Sequence, residues 1–232
     1  AFDMRANLFD ELTLVHCALP ELSLDEIDLG TEFLGKKLRA PILIASMTGG
    51  STKAESLNRR LAAIAERRGY AMGLGSQRPM LADPASVRTF AVRDVAPSIP
   101  LVGNIGGVQA AASVGADALF VHLNPAQEVV QPGGDRDFRG VLSAIERLVK
   151  SAPFPIIAKE TGCGLSLRVL QKLNAVGVTT VDVSGAGGTS WVGVETLRAE
   201  GLQEAIGQRF WNWGIPTLVS LAWADQTPMR AI

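Results

Sequence analysis

The sequence has little cysteine: its two cysteines, Cys17 and Cys163, lie far apart, and there are only two histidines. No CxxC pair occurs. Because a structural zinc ion needs four Cys or His ligands at short spacings, no structural zinc site is expected. Two isolated cysteines are typical of reduced thiols inside the cell, and we therefore expect a cytoplasmic protein.

The sequence also lacks an excess of charge of either sign. Its 22 Lys and Arg residues and 23 Asp and Glu residues leave a formal net charge of -1, which excludes the basic surface that nucleic-acid binding requires. No run approaches the roughly 18 apolar residues that span a bilayer. The segment Ala1–Asp10 has no basic region followed by an apolar run, so it does not resemble a signal peptide. We expect neither a nucleic acid nor a membrane as a partner.

The composition is that of an ordinary globular protein, with 47% hydrophobic and 19% charged residues among 232. No linker, low-complexity tract or block of charge divides the chain. A chain of this length can bury one sizeable core. We therefore predict a single domain over residues 1–232.

One unit recurs along the chain: a short apolar run, a glycine-rich turn and then, in most cases, a helical pattern. The runs are continuous rather than alternating, which is typical of parallel strands buried on both faces. Helical spacing is visible over Lys53–Arg68 and Phe138–Lys150. The predicted strands are residues 41–47, 70–75, 101–107, 118–124, 155–159 and 179–183.

Such alternation predicts an α/β fold, either a (β/α)8 TIM barrel or a doubly wound sheet. Polar and glycine residues follow every predicted strand, whereas an open sheet binds its ligands mainly at one switch point. Active sites of (β/α)8 barrels are built from all the loops at the carboxyl ends of the strands. The pattern therefore favours the barrel.

Two features indicate that the barrel is incomplete in this chain. The stretch from Gln109 to Asp117 is shorter than the roughly 10–12 residues that a parallel crossover needs. The segment Met229–Ile232 could begin a seventh strand, and six strands do not close a barrel. We expect that some loops and the last strands are absent, and that the full protein is heavier than 24.5 kDa.

Two groups of polar residues follow the first two predicted strands. Glycines in Ser46-Met47-Thr48-Gly49-Gly50 would let a flat ligand approach the backbone, although a plain capping turn explains the same residues. Gly73-Leu74-Gly75-Ser76-Gln77-Arg78 lacks the third glycine of a dinucleotide fingerprint. Arg78 could bind a phosphate through two hydrogen bonds, or it could form a surface salt bridge.

The segment from His122 to Glu128 places four polar side chains directly after an apolar run. Strand geometry puts His122 and Asn124 on one face, and Gln127 and Glu128 follow on the loop. Magnesium ions bind carboxylate oxygens together with substrate phosphates, so Glu128 is a candidate Mg²⁺ ligand. A structural histidine at a strand end is the alternative.

Lys159 and the loop over residues 184–190 complete the candidate site. A lysine after Ile156-Ile157-Ala158 is costly to bury alone, so we expect an anionic partner for it, either a carboxylate or an electron-rich cofactor. Backbone amides of the glycine-rich loop, with the hydroxyls of Thr189 and Ser190, suit a terminal phosphate. A flexible loop is the alternative.

Read together, these motifs resemble the type 2 isopentenyl diphosphate isomerases, and the resemblance extends from about Glu21 to Trp213. Each motif is weak alone, but their combination and order are specific. The motifs are Met47-Thr48-Gly49-Gly50, Gly75-Ser76-Gln77-Arg78, His122-Leu123-Asn124, Gln127-Glu128, Lys159-Glu160 and Gly187-Gly188-Thr189-Ser190-Trp191. The resemblance implies a (β/α)8 barrel that binds FMN and Mg²⁺, interconverts isopentenyl and dimethylallyl diphosphate in isoprenoid biosynthesis, and forms homo-tetramers or octamers.

The resemblance also implies roles for individual residues. Gln127 would be catalytic and Glu128 would hold Mg²⁺. Reduced FMN would act as the acid–base group, and NADPH would only reduce it. Because Gln127 cannot titrate, it would orient or relay rather than act as a base. The implied FMN contacts are Ser46, Met47, Thr48, Ser76, Asn104, Lys159, Ser184 and Thr189, and the implied substrate contacts are Ser76, Gln77, Arg78, His122, Asn124 and Gln127.

Two other functions stay open. An FMN-dependent 2-hydroxy-acid oxidase would share Lys159 and the Gly187-Gly188 turn, and a phosphate-ligand-binding barrel without catalysis would share the glycine-rich loops. The family's N-terminal Arg-Lys pair and its final strand have no counterpart in this sequence, which agrees with a chain that is incomplete at both ends.

Overall fold

A computed structural model describes residues 6–104 and 112–232, which pack as two compact units. The N-terminal unit consists of residues 16–120 with residues 153–155. The C-terminal unit consists of residues 6–15, 121–152 and 156–232. The end of the predicted strand 101–107 and the start of the short connection from Gln109 lie outside the described residues. The single domain stays a prediction.

A β-hairpin opens the regular structure of the N-terminal unit. Strands β1 (Thr31–Phe33) and β2 (Lys36–Leu38) pair antiparallel, with Phe33 opposite Lys36. Leu34 and Gly35 both take positive φ angles, 52° and 71°, as a two-residue turn of this kind requires. The sequence analysis did not predict this hairpin.

Parallel strands β3 (Leu43–Ile44), β4 (Ala71–Gly73) and β5 (Leu101–Asn104) follow in chain order. The next strand, β6 (Ala118–Leu123), pairs with β5 and continues into the C-terminal unit. Each strand is short and its residues are mostly buried, because helices and loops cover both faces. The predicted strands at residues 41–47, 70–75 and 118–124 are confirmed, the first as only two residues.

Helix α1 (Thr52–Arg68) connects β3 to β4 and begins and ends on capping residues. The Ser51 side chain accepts a hydrogen bond from the amide of Ala54, and Gly69 ends the helix in the left-handed conformation with φ 65°. A short helix α2 (Pro79–Ala82) and a 3-10 helix (Pro84–Thr89) follow β4. The buried core of this unit is formed by Ala62, Ala65, Met72, Leu74, Phe90, Val92, Ala96, Ile99, Leu101 and Val114.

One carboxylate ties several parts of the N-terminal unit together. Asp117 pairs with Lys36 at 2.8 Å and with Arg93 at 3.0 Å, and it accepts a hydrogen bond from the amide of Leu101. Burial alone would raise the pKa of Asp117, but the hydrogen bonds and the two positive charges outweigh it and lower the pKa below its ordinary value. The hairpin is thereby joined to strand β5.

The C-terminal unit repeats the strand–helix pattern. Strands β7 (Ile156–Glu160), β8 (Thr180–Asp182) and β9 (Arg230–Ala231) are parallel and lie in chain order. Lys159 stands opposite Asp182 in the register of the first two. The helices are α3 (Pro125–Val130), α4 (Val141–Ser151), α5 (Leu167–Ala175), α6 (Trp191–Thr196), α7 (Leu202–Phe210) and α8 (Thr217–Ala224).

These elements agree with the remaining predictions of secondary structure, although the helix predicted over Phe138–Lys150 is observed as Val141–Ser151. Strands β7 and β8 lie where apolar runs predicted them, and β9 confirms a further strand at Met229–Ile232. The core of this unit contains Ile145, Ala158, Leu170, Leu173 and Val181, among others. Both cysteines are free thiols. Among the described helices, none combines the length and the apolar character needed to cross a membrane.

Candidate functional site

The carboxyl ends of β3 and β4 approach each other closely at Ser46. The hydroxyl oxygen of Ser46 is buried and has no hydrogen-bond partner among the residues that the structure describes. A Cβ atom on residue 73 would lie only 2.3 Å from this oxygen, so Gly73 is required by the close approach. A buried hydroxyl without a partner is rare in proteins, and a bound ligand is one way to satisfy it.

Thr48 is fixed by contacts within the N-terminal unit. Its hydroxyl donates to Oδ1 of Asn58, whose amide nitrogen donates back to the carbonyl of Thr48 at 3.1 Å. The amide of Gly75 also donates to that carbonyl, at 3.1 Å, and a Cβ atom on residue 75 would lie 2.4 Å from it. Hydrogen bonds therefore fix the turn that follows β3 at Thr48. Met47, which precedes Thr48, is exposed.

Gln77 connects the loop after β4 to the end of β5. Its side-chain Oε1 accepts a hydrogen bond from the backbone amide of Asn104 at 3.0 Å, and the backbone amide of Gln77 donates to the carbonyl of Asn104 at 2.8 Å. Both side chains are buried. Gln77 thus has a structural role that the sequence analysis did not assign, beside the predicted contact with substrate.

Arg78 lies at the N-terminal end of α2, next to half-buried Ser76. Its side chain is exposed, and its guanidinium forms no ion pair with a residue in the described ranges. Arg78 therefore does not form the surface salt bridge that was its alternative role. The positive charge remains available for an anion.

In the C-terminal unit, helix α3 brings together three of the predicted residues. The side-chain amide of Asn124 donates to Oε1 of Gln127 at 3.3 Å and to Oε1 of Glu128 at 3.0 Å. The amide of Gln127 donates to Oε1 of Glu195, on α6, at 3.3 Å. His122 precedes them on β6 and is half-buried. Hydrogen bonds thus connect four side chains, which we call the Gln127 network: Asn124, Gln127, Glu128 and Glu195.

Sequence analysis missed Glu195 as a member of this network. It is 4% exposed and its closest positive charge in the described chain is Arg198, at 3.5 Å, whose side chain is 70% exposed. The available signal was an acidic residue directly after the apolar stretch Trp191-Val192-Gly193-Val194, because a buried carboxylate needs partners.

The carboxylate of Glu128 is held at both oxygens. Oε1 accepts from Asn124, and Oε2 accepts from the amide of Asp135 at 2.9 Å. A Cβ atom on residue 134 would lie 2.2 Å from the Glu128 carbonyl, so Gly134 lets the following loop close over the helix. A buried carboxylate without an ion pair in the described chain suits Mg²⁺ chemically. No group of three or more His, Cys, Asp or Glu in residues 6–104 and 112–232 could hold the ion, so water and phosphate would complete its coordination.

Lys159 has the anionic partner that its position predicted. Its Nζ lies 3.0 Å from Oδ2 of Asp182 and 2.9 Å from Oγ of Ser184. Ser184 in turn donates its hydroxyl to Oδ1 of Asp182 at 2.6 Å and takes a positive φ of 32°. The carboxylate alternative is therefore observed, and it places Ser184 beside Lys159.

The loop over residues 184–190 is fixed at both ends. The amide of Ala186 donates to the carbonyl of Ile215 at 2.8 Å, and Ser190 caps α6 by accepting from the amide of Gly193 at 3.0 Å. Gly187 has a φ of 114° and lies against Asn7, which leaves no room for a Cβ atom. Gly188 and Thr189 between them are exposed. Hydrogen bonds thus hold the loop at both ends, and its tip is exposed to solvent.

Glu160 is buried next to Lys159, and no cation among the described residues forms an ion pair with it. Its Oε2 accepts hydrogen bonds from the amides of Thr161, Gly162 and Cys163. Burial raises the pKa of Glu160 to about 7, although the backbone amides act in the opposite direction. Glu160 was not among the predicted site residues.

Comparison with known proteins identifies the family. No family model matches the chain. The isopentenyl-diphosphate delta-isomerase of Rickettsia felis is 50% identical over 92% of this chain and 66% of its own length. The enzymes of Pyrococcus furiosus and Thermococcus onnurineus are 46% and 45% identical, over 93% and 97% of this chain and 60% and 67% of their own lengths. The chain belongs to the isopentenyl-diphosphate delta-isomerase family. It spans about two thirds of the length of these relatives.

Solved structures confirm the fold class. A flavocytochrome b2 variant with bound sulfite superposes with a TM-score of 0.58 over 98% of this chain and 65% of that structure, at 17% identity. The inosine 5' monophosphate dehydrogenase of Legionella pneumophila superposes with a TM-score of 0.53 over 80% of this chain and 52% of that structure, at 16% identity. At these identities the likeness concerns the fold alone. The isomerase-family chain thus has the α/β architecture of the (β/α) barrel class that its sequence predicted.

Proposed function

We propose that the protein is an isopentenyl-diphosphate delta-isomerase that interconverts isopentenyl and dimethylallyl diphosphate with reduced FMN and Mg²⁺, in isoprenoid biosynthesis. Membership of the isomerase family carries the proposal. The Gln127 network supports it, because it brings Asn124, Gln127 and Glu128 into direct contact.

The residues at the strand ends fit an FMN molecule chemically. Ser46 offers a buried oxygen that has no partner in the described chain, and Lys159 is held in place by Asp182 and Ser184. Bound and reduced by NADPH, FMN would supply the acid–base chemistry of the double-bond shift. The proposed FMN contacts are Ser46, Met47, Thr48, Ser76, Asn104, Lys159, Ser184 and Thr189.

Charged and polar residues fit the diphosphate of the substrate. The exposed guanidinium of Arg78 suits a phosphate through paired hydrogen bonds. Glu128 would hold Mg²⁺, which neutralises phosphate oxygens and keeps part of its water shell. The other proposed substrate contacts are Ser76, Gln77, His122, Asn124 and Gln127.

Gln127 would position the reacting end of the substrate. One hydrogen of its amide is directed to Glu195 and its Oε1 accepts from Asn124, so the amide plane is fixed from two sides. A primary amide carries two hydrogens, which leaves the second for the substrate. Glu195 therefore orients Gln127, and Gln127 orients the substrate without titrating itself.

Two measurements on the purified protein test the proposal. A visible flavin spectrum, or its appearance on titration with FMN, tests the cofactor. Anaerobic incubation with NADPH, Mg²⁺ and isopentenyl diphosphate should then yield dimethylallyl diphosphate without stoichiometric use of NADPH. Bound flavin without isomerisation would favour the 2-hydroxy-acid oxidase, and the absence of flavin binding would favour the non-catalytic phosphate-binding barrel.

Variants separate the roles of the two neighbouring residues on α3. We expect Gln127→Asn to lower kcat by about 100-fold or more, a typical size for a displaced catalytic group. Glu128→Gln should mainly raise the Mg²⁺ concentration needed for half-maximal rate. Gln208→Asn, at an exposed position on α7, is the matched control and should leave both quantities unchanged.

We also propose a cytoplasmic homo-oligomer, a tetramer or an octamer, on the strength of the family resemblance. Size-exclusion chromatography with light scattering tests the assembly. A monomer at micromolar concentration would contradict it.

A further inference from the structure

A cavity of about 630 Å³ lies within the C-terminal unit, and no residue assigned to FMN, substrate or Mg²⁺ is among its lining residues. Its volume falls within the roughly 300–1,000 Å³ typical of small-molecule sites. It is lined by helix α3, the loop after β7, the start of α5 and residues 210–215. Apolar side chains form most of its wall, including Pro125, Ala126, Val129, Val169, Phe210 and Trp213.

Glu160 is the only charged residue that lines this cavity in the described chain. Lys159 and Glu160 are consecutive in β7, so their side chains lie on opposite faces of the strand. The carboxylate is 4% exposed, and its Oε2 is occupied by three backbone amides. The backbone amide of Gly164 also favours the charged form of Glu160, and Oε1, which lies opposite the three amides at Oε2, is the carboxylate oxygen that we assign to the cavity.

A buried carboxylate without a counter-ion is energetically unfavourable. Among residues 6–104 and 112–232, no lysine, arginine or histidine lines the cavity, so these residues supply no positive charge there. The perturbed ionisation of Glu160 is the expected consequence, and such perturbed groups are concentrated at functional sites.

An aromatic pair faces the same space. The rings of Phe210 and Trp213 pack edge to face, with centroids 5.4 Å apart and an interplanar angle of 70°. The faces of aromatic rings attract cations, tryptophan most strongly. The cavity therefore combines a carboxylate oxygen, two aromatic rings and aliphatic walls.

We propose that this cavity is a binding site for a small organic ammonium ion with an apolar body. The ammonium group pairs with Oε1 of Glu160 and lies near the rings of Phe210 and Trp213. The apolar body contacts the aliphatic side chains of α3 and α5. This site does not depend on the proposed isomerase activity.

Isothermal titration calorimetry with hexylammonium chloride, 1-hexanol and sodium hexanoate tests the site. The three probes share one chain and differ in the head group. We expect the protein to bind hexylammonium at least about tenfold more tightly than hexanol, and to show no heat of binding with hexanoate. Glu160→Gln should remove this preference, whereas Glu204→Gln, at an exposed position on α7, should retain it.

A second variant keeps the carboxylate and removes the space. Val169→Phe fills the cavity from α5 and should weaken hexylammonium binding at least about tenfold while the circular dichroism spectrum is unchanged. Equal affinity of wild type and Glu160→Gln for hexylammonium would overturn the proposal, as would equal affinity for hexylammonium and hexanol. Absence of any hexylammonium binding to the wild-type protein would overturn it as well.

Discussion

Replacing Glu160 by glutamine should remove part of the pH dependence of the free energy of unfolding. Glutamine has nearly the same shape, and its Oε1 can accept the hydrogen bonds that the amides of Thr161, Gly162 and Cys163 now donate to the carboxylate. The substitution therefore keeps the anchored loop after β7. It removes only the ability of residue 160 to ionise.

The sign and the size follow from the pKa of Glu160, which burial raises from 4.5 to about 7. A folded-state pKa above the unfolded-state value means that the folded protein retains the proton longer. The resulting stability is fully present below pH 4.5 and is lost as the pH rises through about 7. At about 1.4 kcal/mol per pKa unit, the loss between pH 5 and pH 8 is on the order of 2–3 kcal/mol.

Urea denaturation at pH 5 and pH 8 measures this effect. The free energy of unfolding of Glu160→Gln, relative to wild type, should rise by on the order of 2–3 kcal/mol from the lower to the higher pH. Other titrating groups are common to both proteins and cancel in the comparison. Glu204→Gln is the control, because its exposed side chain should follow the wild-type pH dependence. Parallel curves for wild type and Glu160→Gln would refute the elevated pKa.

Three further substitutions test contacts described above. Asp117→Asn should lower the free energy of unfolding by about 1–3 kcal/mol at pH 7, since it removes a charge that pairs with two cations. Because the pKa of Asp117 is lowered in the folded protein, this loss should disappear as the pH falls below about 4. Asp137→Asn is the control: it changes an exposed ion pair and should leave the urea midpoint unchanged. Gly75→Ala should destabilise by about 1–3 kcal/mol in the same assay, because its Cβ would lie 2.4 Å from the Thr48 carbonyl; an unchanged urea midpoint would contradict the close approach. Ser46→Ala should leave the flavin-free protein at least as stable as wild type, since it removes a buried hydroxyl without a partner in the described chain. The same variant should bind FMN several-fold more weakly in a fluorescence titration. Equal FMN affinity of variant and wild type would exclude Ser46 as a contact.

Much of the fold could be predicted from sequence because its strands are continuous apolar runs and because Lys53–Arg68 has helical spacing. The buried face of α1 was not predicted: it consists of small and polar residues, whereas Leu57 and Ile64 are exposed. The predicted helix over Lys53–Arg68 differs from α1 by one residue at its start. The hairpin of β1 and β2 was missed because strands of three residues show too little alternation to be recognised. Its position depends instead on Lys36, which reaches Asp117, a residue 81 positions away.

The candidate site could be predicted only where its residues are neighbours in sequence. Asn124, Gln127 and Glu128 are spaced by three and four residues, so a helix turn brings them together. Glu195 lies 68 positions from Gln127, and no local pattern connects the two. Tertiary packing of α6 against α3 decides that contact, and packing of this kind leaves no periodic signal.

The end of β7 illustrates how one strand can serve two different sites. Lys159 has its counter-charge inside the protein, because strand register places Asp182 opposite it. Its ammonium group is therefore oriented before any ligand binds, which is the preorganisation that a cofactor site requires. Glu160, one residue later and on the other face, has backbone amides at one oxygen and no cation in the described chain. Since alternation along a strand separates the two side chains, a ligand can neutralise Glu160 without displacing Lys159 from Asp182.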